Sequence, residues 1–423
     1  MFRFDALNVY NTKDLKPGIK KLLLGKYGDL LPSDRNAKIL IKPNLNSNMN
    51  ALTGNTTDLR LLSAVIELLK ENGYQDITIG EGTNSGFYRN NISVISRLKV
   101  DALADAYDVS VKDLNYSKTV EVEFEKGVKA GVAKECMEAD LFINMPKLKT
   151  HFENGMSVCL KNLMGCLVGQ ENKKKTHQSL EANILNINKF LKPHLHIVDA
   201  IFSMEGLGPT RGTPVKTGMV LIGTDPYLID LMCAKFASFN HKKVRTLVES
   251  EKRGIVNSQY HKFVNEFQFE KLFKFAPPKA GPIATFIHSP KRQRYFLAVR
   301  NTPVFNFLCS TELGGKLLYR TGLRQDVFIK DEMECTGLSV DMKRCTQCGK
   351  CSDYCPSGLT LPDVLAEEGE LNPKGNRGKK CLFCLYCFCV CPENAILFHG
   401  KLGFMEEQMK QYGEIIKKIV REE

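Results

Sequence analysis

The sequence contains no run of about 18 consecutive apolar residues, the length at which a membrane-spanning helix is expected. The start of the chain, Met1-Phe2-Arg3-Phe4-Asp5, lacks the apolar segment of a secretory signal. The chain also has no Walker A loop and no G-x-S-x-G motif, which removes the usual sequence evidence for a P-loop protein or an α/β-hydrolase. We therefore expect a cytoplasmic protein without a membrane span.

Cysteine is sparse over most of the chain and crowded near its end. Only five of the fifteen cysteines lie in the first 330 residues, whereas nine lie between Cys345 and Cys391. The composition, 43% hydrophobic and 25% charged, is that of a globular chain, and 423 residues suffice for two or three domains. Because a disulfide framework does not usually crowd cysteines so tightly, we expect a metal- or cluster-binding module there.

The net charge of +12 is carried by one stretch of the chain. Between Lys235 and Lys330 there are 18 lysines and arginines against 6 aspartates and glutamates, so the rest of the chain is close to neutral. We expect residues 238–334 to form a basic connector, helical and partly irregular, that could dock an acidic redox protein. The segment 291–296 pairs basic with aromatic residues, as single-stranded nucleic acids require, but no recognised module accompanies it and we do not expect nucleic acid as a partner.

Between residues 38 and 237, short apolar runs alternate with segments of helical periodicity. The predicted strands are Lys38–Lys42, Asp76–Gly80, Leu141–Asn144, Leu195–Asp199 and Met219–Gly223. The predicted helices are Asp58–Asn72, Ile92–Tyr107, Ser179–Leu191 and Pro226–Phe236. This alternation predicts an α/β domain over residues 1–237, with a mostly parallel sheet and flanking helices. Residues 401–423 are predicted to form a closing amphipathic helix.

Polar segments follow the five apolar runs, and ligands of an open parallel sheet bind outside the carboxyl ends of its strands. We therefore expect these segments to share one pocket. In Lys147-Leu148-Lys149-Thr150-His151 the cations and the imidazole alternate, so an extended chain would turn them to one side, where they suit a carboxylate or phosphate. The alternative is a solvated loop. The run Lys173–Lys175 is expected to be a solvated face.

Candidate roles follow from these residue types. We assign catalytic roles to Lys147, Lys149, His151 and Glu205, and cofactor- or ligand-binding roles to Lys42, Asn44, Lys161, Asn162 and Asp225. An acid beside a lysine–histidine cluster could act in proton transfer, and Asp199 and Asp230 are further candidates. Lys161 could instead lay its stem along apolar surface. Asp225 could simply cap a helix that begins at Pro226.

The strongest motif is a cysteine pattern that occurs twice. Cys345-x2-Cys348-x2-Cys351-x3-Cys355-Pro356 is followed by Cys381-x2-Cys384-x2-Cys387-x3-Cys391-Pro392. This is the run of bacterial two-cluster ferredoxins, in which the fourth cysteine of each motif binds the other cluster. The predicted ligand sets are Cys345, Cys348, Cys351 and Cys391 for one [4Fe–4S] cluster, and Cys381, Cys384, Cys387 and Cys355 for the other. Zinc ribbons are the alternative, although zinc prefers two CxxC pairs. Cys389 and Cys335 remain unassigned.

Five segments of the α/β region resemble the DUF362 family, a domain of unknown function that often carries a ferredoxin module. They are Ile41-Lys42-Pro43-Asn44, 144–151, Leu160-Lys161-Asn162-Leu163-Met164-Gly165, Met204-Glu205-Gly206-x-Gly208-Pro209 and Gly223-Thr224-Asp225-Pro226. The resemblance covers roughly residues 38–237, and the ferredoxin resemblance covers 340–395. It implies the fold and the cofactors, and it carries over no common reaction. We expect the small α+β two-cluster ferredoxin-like domain to span residues 335–400.

Fusion of a redox module with a ligand site favours an iron–sulfur oxidoreductase in a reducing, oxygen-poor compartment. Single low-potential electrons would pass through two [4Fe–4S] clusters to a small anionic substrate or cofactor at the strand ends. The alternative is an electron-transfer or activating protein that docks an acidic redox partner, of ferredoxin or flavodoxin type, without turnover of its own. The sequence leaves the substrate, and an additional flavin or nucleotide, open.

Overall fold

A computed structural model describes residues 2–9, 12–278, 329–361 and 381–422, together with residues 302–304 and positions 311, 314 and 365. The basic and aromatic segment 291–296 lies outside the described residues. So does most of the predicted connector beyond residue 278.

The described strands include a large central sheet. They are β1 Phe4–Asn8, β2 Ile39–Lys42, β3 Ile77–Glu81, β4 Ser110–Asp113, β5 Thr119–Glu123, β6 Lys129–Ala133, β7 Leu141–Asn144, β8 Lys147–His151, β9 Gly155–Ser157, β10 Leu195–Glu205, β11 Thr213–Gly223, β12 Glu334–Val340 and β13 Ile396–Lys401. The sheet has the order β1-β11-β10-β7-β2-β3-β4, with β8 and β9 attached beside β10. Its five strands from β10 to β4 are parallel. At one edge, β11 runs antiparallel to β10, and β1 runs antiparallel to β11.

The described helices flank this sheet or belong to the C-terminal cysteine module. They are α1 Thr12–Lys26, α2 Leu59–Glu71, α3 Ser85–Arg89, α4 Val94–Arg97, α5 Val100–Tyr107, α6 Lys134–Glu138, α7 Cys159–Asn162, α8 Gly169–Thr176, α9 Leu180–Phe190, α10 Pro226–Phe236, α11 Arg245–Lys252, α12 Ser258–Glu266, α13 Lys350–Asp353, α14 Tyr386–Val390 and α15 Met405–Arg421. The predicted fold class, a mostly parallel α/β sheet with a small C-terminal domain, is confirmed.

Local sequence signals explain several element boundaries. The Asp58 carboxylate accepts a hydrogen bond from Arg60 N at 2.9 Å and begins α2. Asp225 caps α10 in the same way, with Pro226 at the first helical position. The single helix predicted over residues 92–107 is instead two helices, α4 and α5. Lys99 lies between them with φ of +61°, a left-handed conformation that breaks the helical path.

The segment Lys147–His151 is a buried strand, so the solvated-loop alternative is wrong. It becomes β8 because it pairs with β10 on one side and β9 on the other. The antiparallel β12–β13 pair and α15 pack against the cysteine module, and this module shares one apolar core with the sheet domain. Among the described helices, none is both long enough and apolar enough to cross a membrane.

Candidate functional site

In the C-terminal module, each cysteine motif has one member that lies beside a cysteine of the other motif. Cys355 lines a cavity together with Cys381, Cys384 and Cys387. On the other side, burial and the neighbouring thiols Cys348 and Cys391 raise the pKa of Cys351 to about 11. Cys355 therefore lies with the second motif, and Cys391 lies near a cysteine of the first. We call this arrangement the exchanged cysteine grouping, and the two complete ligand sets stay a prediction from the sequence.

The two motifs use the same backbone turns. Gln347 and Gly349 flank Cys348 with φ of 55° and 77°, and Phe383 and Leu385 flank Cys384 with φ of 54° and 60°. Left-handed conformations are uncommon outside glycine, and here they occur at matching positions of both motifs. They bend the chain tightly around Cys348 and Cys384, the second cysteine of each motif.

The sulfur atoms also receive backbone hydrogen bonds. The N–H groups of Leu359, Phe383 and Ala395 donate to Cys355 Sγ, Cys381 Sγ and Cys391 Sγ at 3.4, 3.5 and 3.1 Å. Such bonds stabilise thiolates and tune the reduction potential of a cluster.

This donor set fits iron–sulfur clusters. Burial raises the pKa of both Cys384 and Cys387 well above the ordinary thiol value, so these thiols need a bound metal to become thiolates. Four converging thiols around one cavity match the all-cysteine ligation of a [4Fe–4S] cluster, which supplies one-electron transfer when bound.

The two surplus cysteines make other contacts. Cys389 is buried beside Asn50 Nδ2 and Gln408 Nε2, at 3.7 and 3.8 Å, and burial raises the pKa of its thiol to about 12. Cys335 donates to the carbonyl oxygen of Gly337 at 3.6 Å. Neither cysteine lines the cavity that holds Cys355 and Cys387.

At the strand ends, Lys42 forms a buried ion pair. Its Nζ atom lies 3.0 and 2.9 Å from the two carboxylate oxygens of Glu81, at the end of the neighbouring strand. Gly165 closes over this pair, because a Cβ atom there would lie 2.0 Å from Glu81 Oε1. The Lys42 cation is therefore already neutralised by a carboxylate.

Lys147 is likewise paired in the interior. Its Nζ lies 2.9 Å from Asp199 Oδ2, and neither side chain is exposed at all. The same oxygen accepts a hydrogen bond from Asp58 N at 2.7 Å. Burial and the nearby Asp58 charge raise the pKa of Asp199, although Lys147 opposes this rise.

Asp58 differs from Asp199 because arginine supports its charge. Burial would raise the pKa of Asp58, but the charge and hydrogen bonds of Arg60 outweigh burial, so the pKa is lowered. Arg60 Nη2 lies 2.7 Å from Asp58 Oδ2. Asp58 and Arg60 thus form a second buried ion pair next to Lys147 and Asp199.

Lys149 is held by neutral oxygen atoms. Its Nζ donates to Asn44 Oδ1 at 2.9 Å, Asn46 Oδ1 at 2.5 Å and the Asn55 carbonyl at 2.7 Å. Asn44 in turn donates to Asn162 Oδ1 at 2.8 Å. The structure therefore brings together Lys149, Asn44 and Asn162, three of the predicted site residues.

The amide chain continues into the sheet. Asn162 Nδ2 donates to Asn144 Oδ1 at 2.8 Å, and Asn144 Nδ2 lies 3.0 Å from His196 Nδ1. Burial lowers the pKa of His196 to about 3, so its imidazole is neutral. His151 lies at the far end of β8, stacks on Phe152 and accepts a hydrogen bond from Glu153 N.

Three predicted residues lie apart from this group. Asp225 follows β11, which runs antiparallel to β10. Its segment therefore lies where the parallel strands begin, and it does not join the predicted pocket at their carboxyl ends. It caps α10 and accepts a hydrogen bond from the Tyr260 hydroxyl at 2.7 Å. Glu205 accepts from Ala276 N at 2.7 Å. The Lys161 ammonium contacts Met164 Sδ at 3.8 Å, and burial lowers its pKa.

Sequence reasoning missed Lys173 and the importance of Glu81. The prediction of a solvated face is wrong for Lys173, whose Nζ donates to the carbonyls of Gly82 and Thr83 at 2.9 and 3.0 Å. Burial lowers its pKa to about 8. The sequence does contain one signal, since glycines on both sides of Glu81 indicate close approach of another backbone. Gly82 N indeed donates to the Gly165 carbonyl at 3.0 Å.

Comparison with known families agrees with this geometry. Residues 39–235 match DUF362, a domain of unknown function, and residues 344–396 match the 4Fe-4S dicluster domain. Residues 39–235 thus form a DUF362 domain, and residues 344–396 form a 4Fe-4S dicluster domain. Such ferredoxin-type domains serve electron transfer.

Two individual proteins are similar to parts of this fusion. The chain is 27% identical over 267 residues to the "Thylakoid-associated protein sll1697" of Synechocystis sp., and the match covers 58% of this chain and 77% of that protein. A weaker structural likeness, with a TM-score of 0.32 and 14% identity, relates it to the lactate racemase apoprotein from Thermoanaerobacterium thermosaccharolyticum. That match covers 51% of this chain and 53% of the racemase chain.

The dicluster domain contacts the DUF362 domain where the buried lysines are held. Tyr386 lines the Cys355 cavity, and its hydroxyl accepts a hydrogen bond from Leu59 N at 3.4 Å. Leu59 directly follows Asp58, whose own N–H binds Asp199. A short path of hydrogen-bonded and covalently adjacent groups therefore joins the cysteine cavity to Lys147.

Proposed function

We propose that this protein is an iron–sulfur oxidoreductase that passes single low-potential electrons through two [4Fe–4S] clusters toward the strand ends of the DUF362 domain. The electron donor is a reduced redox protein of ferredoxin or flavodoxin type, and the acceptor is a small anionic substrate or cofactor. The oxidative lability of such clusters favours a reducing compartment such as an anaerobic cytoplasm.

One observation carries the proposal. The cavity that contains Cys355 and Tyr386 is joined to Lys147 through Leu59, Asp58 and Asp199, with hydrogen bonds of 3.4, 2.7 and 2.9 Å. A redox module that merely accompanied a binding domain would not need to share its buried polar network and its apolar core.

Different residues of the DUF362 domain would then bind the anion, hold a proton and contact the substrate. Lys149 is proposed to bind the anion, and Asn44 is proposed to hold its ammonium group in place through the 2.9 Å hydrogen bond from Lys149 Nζ to Asn44 Oδ1. Lys147 and Asp199 form a buried pair in which a proton can be held, because Asp199 has a raised pKa. His151, at the outer end of β8, is proposed to contact the substrate, whereas Glu205, at the end of β10, holds the segment that carries Ala276. Lys42 positions the backbone next to this group, because its Nζ also donates to the Pro43 carbonyl at 2.9 Å.

A second function has support from the same geometry. Because Lys42 and Lys147 are neutralised by Glu81 and Asp199, these two cations are less available to a substrate than isolated lysines would be. This favours the alternative of an electron-transfer or activating partner that docks another redox protein without turnover of its own.

Reoxidation of the reduced protein distinguishes the two functions. Anaerobically purified protein should contain about eight iron atoms and lose visible absorbance when dithionite reduces its clusters. For the oxidoreductase, adding a panel of small carboxylates and phosphates should accelerate reoxidation for at least one member. Lys149→Met should abolish that acceleration while the cluster spectrum stays unchanged.

The partner function predicts a different result. Small anions would leave reoxidation unchanged, whereas an oxidised ferredoxin or flavodoxin would accept the electrons at a rate that falls as ionic strength rises. Protein that is colourless and iron-free after anaerobic purification would contradict both functions.

A further inference from the structure

Three side chains of metal-ligand type converge outside the strand-end site and outside the cysteine module. They are His241, on the turn before α11, Glu251 on α11, and His261 on α12, and their ligand atoms all lie within 4.8 Å of one another. Both imidazoles lie close to the same carboxylate oxygen of Glu251. His261 Nε2 lies 3.2 Å and His241 Nε2 lies 3.4 Å from Glu251 Oε1.

The carboxylate oxygen at the centre of this group is buried and has no hydrogen-bond donor within the described residues. Glu251 Oε1 is shielded from solvent and makes no hydrogen bond within the described residues, although two imidazole nitrogens lie close to it. A buried, unsatisfied carboxylate oxygen is costly, and a cation bound between the three groups would satisfy it. The side chains themselves are only about one-third exposed, at 33%, 27% and 36%, so the group can be reached from solvent.

Two of the three separations match the edges of a metal tetrahedron. Zinc binds histidine nitrogen and carboxylate oxygen at about 2.0–2.1 Å, so two ligands of a tetrahedral site lie about 3.3–3.4 Å apart. The two nitrogen–oxygen distances in this group, 3.2 and 3.4 Å, have this length. An octahedral site would bring neighbouring ligands closer, to about 3.0 Å.

We propose that His241, Glu251 and His261 form a zinc site, with a fourth position open to water. Two histidines and one glutamate are a ligand set that zinc uses in sites with an open position. The site is independent of the iron–sulfur chemistry, and it gives the basic region after the DUF362 domain a defined binding function.

Local turns and a helix cap set the positions of the elements that carry the three ligands. Asn240 accepts a hydrogen bond from Lys242 N at 3.0 Å and fixes the turn that carries His241. Gly254, with φ of +69°, allows the chain to reverse after α11. Asn257 then caps α12 by accepting from Gln259 N at 2.9 Å, which sets the position of His261 one turn into the helix.

The test uses the full chain with its clusters assembled, because empty cluster cysteines would also bind zinc. Cluster-loaded protein is equilibrated with zinc, desalted, and analysed for zinc and iron by mass spectrometry. We expect about one zinc per chain beyond the iron clusters. X-ray absorption at the zinc edge should show only nitrogen and oxygen neighbours at about 2.0–2.1 Å, and no sulfur at about 2.3 Å.

Variants locate the bound metal. His241→Ala, His261→Ala and Glu251→Gln should each weaken zinc binding by more than about tenfold, because even outer-shell partners contribute that much. Lys262→Ala, which removes an exposed neighbour of His261, should bind zinc as the unaltered protein does. Unchanged iron content shows that each variant is folded, and Glu251→Gln preserves side-chain shape. Failure to retain zinc, sulfur in the zinc shell, or equal affinity in all variants would overturn the proposal.

Discussion

Lys42 and Glu81 form an ion pair that is sealed by a residue without a side chain. Gly165 lies so close that a Cβ atom would be 2.0 Å from Glu81 Oε1 and 2.8 Å from Lys42 Nζ. Both charged side chains are buried, at 0% and 4% exposure. The ends of β2 and β3 can therefore approach the turn after α7 only because position 165 is glycine.

Replacing this glycine should force the pair apart. We expect Gly165→Ala to lower the free energy of unfolding by about 1–3 kcal/mol, the usual cost of forcing extra volume into a packed interior. The matched control is Gly25→Ala in α1, where a Cβ atom would meet nothing within 4 Å. That change should be neutral or stabilising by up to about 1 kcal/mol, since alanine favours helix. Urea unfolding measures both, and equal stability of the two variants would contradict this account of Gly165.

The Lys147–Asp199 pair predicts strong coupling between two substitutions. Lys147→Met leaves Asp199 buried without its cation and should destabilise the protein by about 3–5 kcal/mol. Adding Asp199→Asn removes the stranded charge while keeping an oxygen that can accept from Asp58 N, so the double variant should recover part of the loss. Denaturant unfolding of all four members of the cycle gives the coupling. Strictly additive losses would argue that the two side chains do not interact.

The exchanged cysteine grouping predicts which ligands act together. Cys355→Ala should remove the cluster held by Cys381, Cys384 and Cys387, lowering iron from about eight to about four atoms per chain. Cys389→Ala changes a buried thiol that contacts Asn50 and Gln408, and it should retain all the iron. Iron and sulfide analysis, with electron paramagnetic resonance of the reduced protein, checks both. Loss of iron from Cys389→Ala alone would contradict the ligand assignment.

The lowered pKa of Lys173 predicts that the free energy of unfolding rises with pH. Burial lowers its pKa in the folded protein from an ordinary 10.5 to about 8. Between these values the unfolded chain binds a proton that the folded chain does not, so the free energy of unfolding increases as pH rises from about 8 to 10.5. Lowering the pH through 8 removes this contribution.

Substitution isolates the effect of Lys173. Lys173→Met should lose the rise in urea midpoint between pH 8 and 10, whereas Lys174→Met should keep it. Lys174 is the appropriate comparison because it is an adjacent, partly exposed lysine that pairs with Glu171 on the surface. A slope that survives in Lys173→Met would mean that another group is responsible.

Local spacing was sufficient to predict much of this protein. The paired cysteine motifs indicate a dicluster module, because ligand spacing within a short turn depends on a few adjacent residues. Alternation of apolar runs with helical periodicity predicts the mostly parallel sheet. Asp58 and the Asp225-Pro226 pair mark the starts of α2 and α10, because a capping interaction spans only two or three residues.

Tertiary structure alone decided which charges meet. Lys147 pairs with Asp199, 52 positions away, and the Tyr386 hydroxyl meets Leu59 N across 327 positions. Because β11 runs antiparallel to β10, Asp225 lies at the opposite end of the strands from the predicted pocket. Packing of α8 brings Lys173 into contact with the backbone of Gly82, although the run Lys173–Lys175 resembles a solvated face. His241, Glu251 and His261 likewise come together only through the turns between their elements. Periodicity reports the environment of a residue along its own element, whereas a buried charge must find its partner from whichever distant element the folded core places beside it.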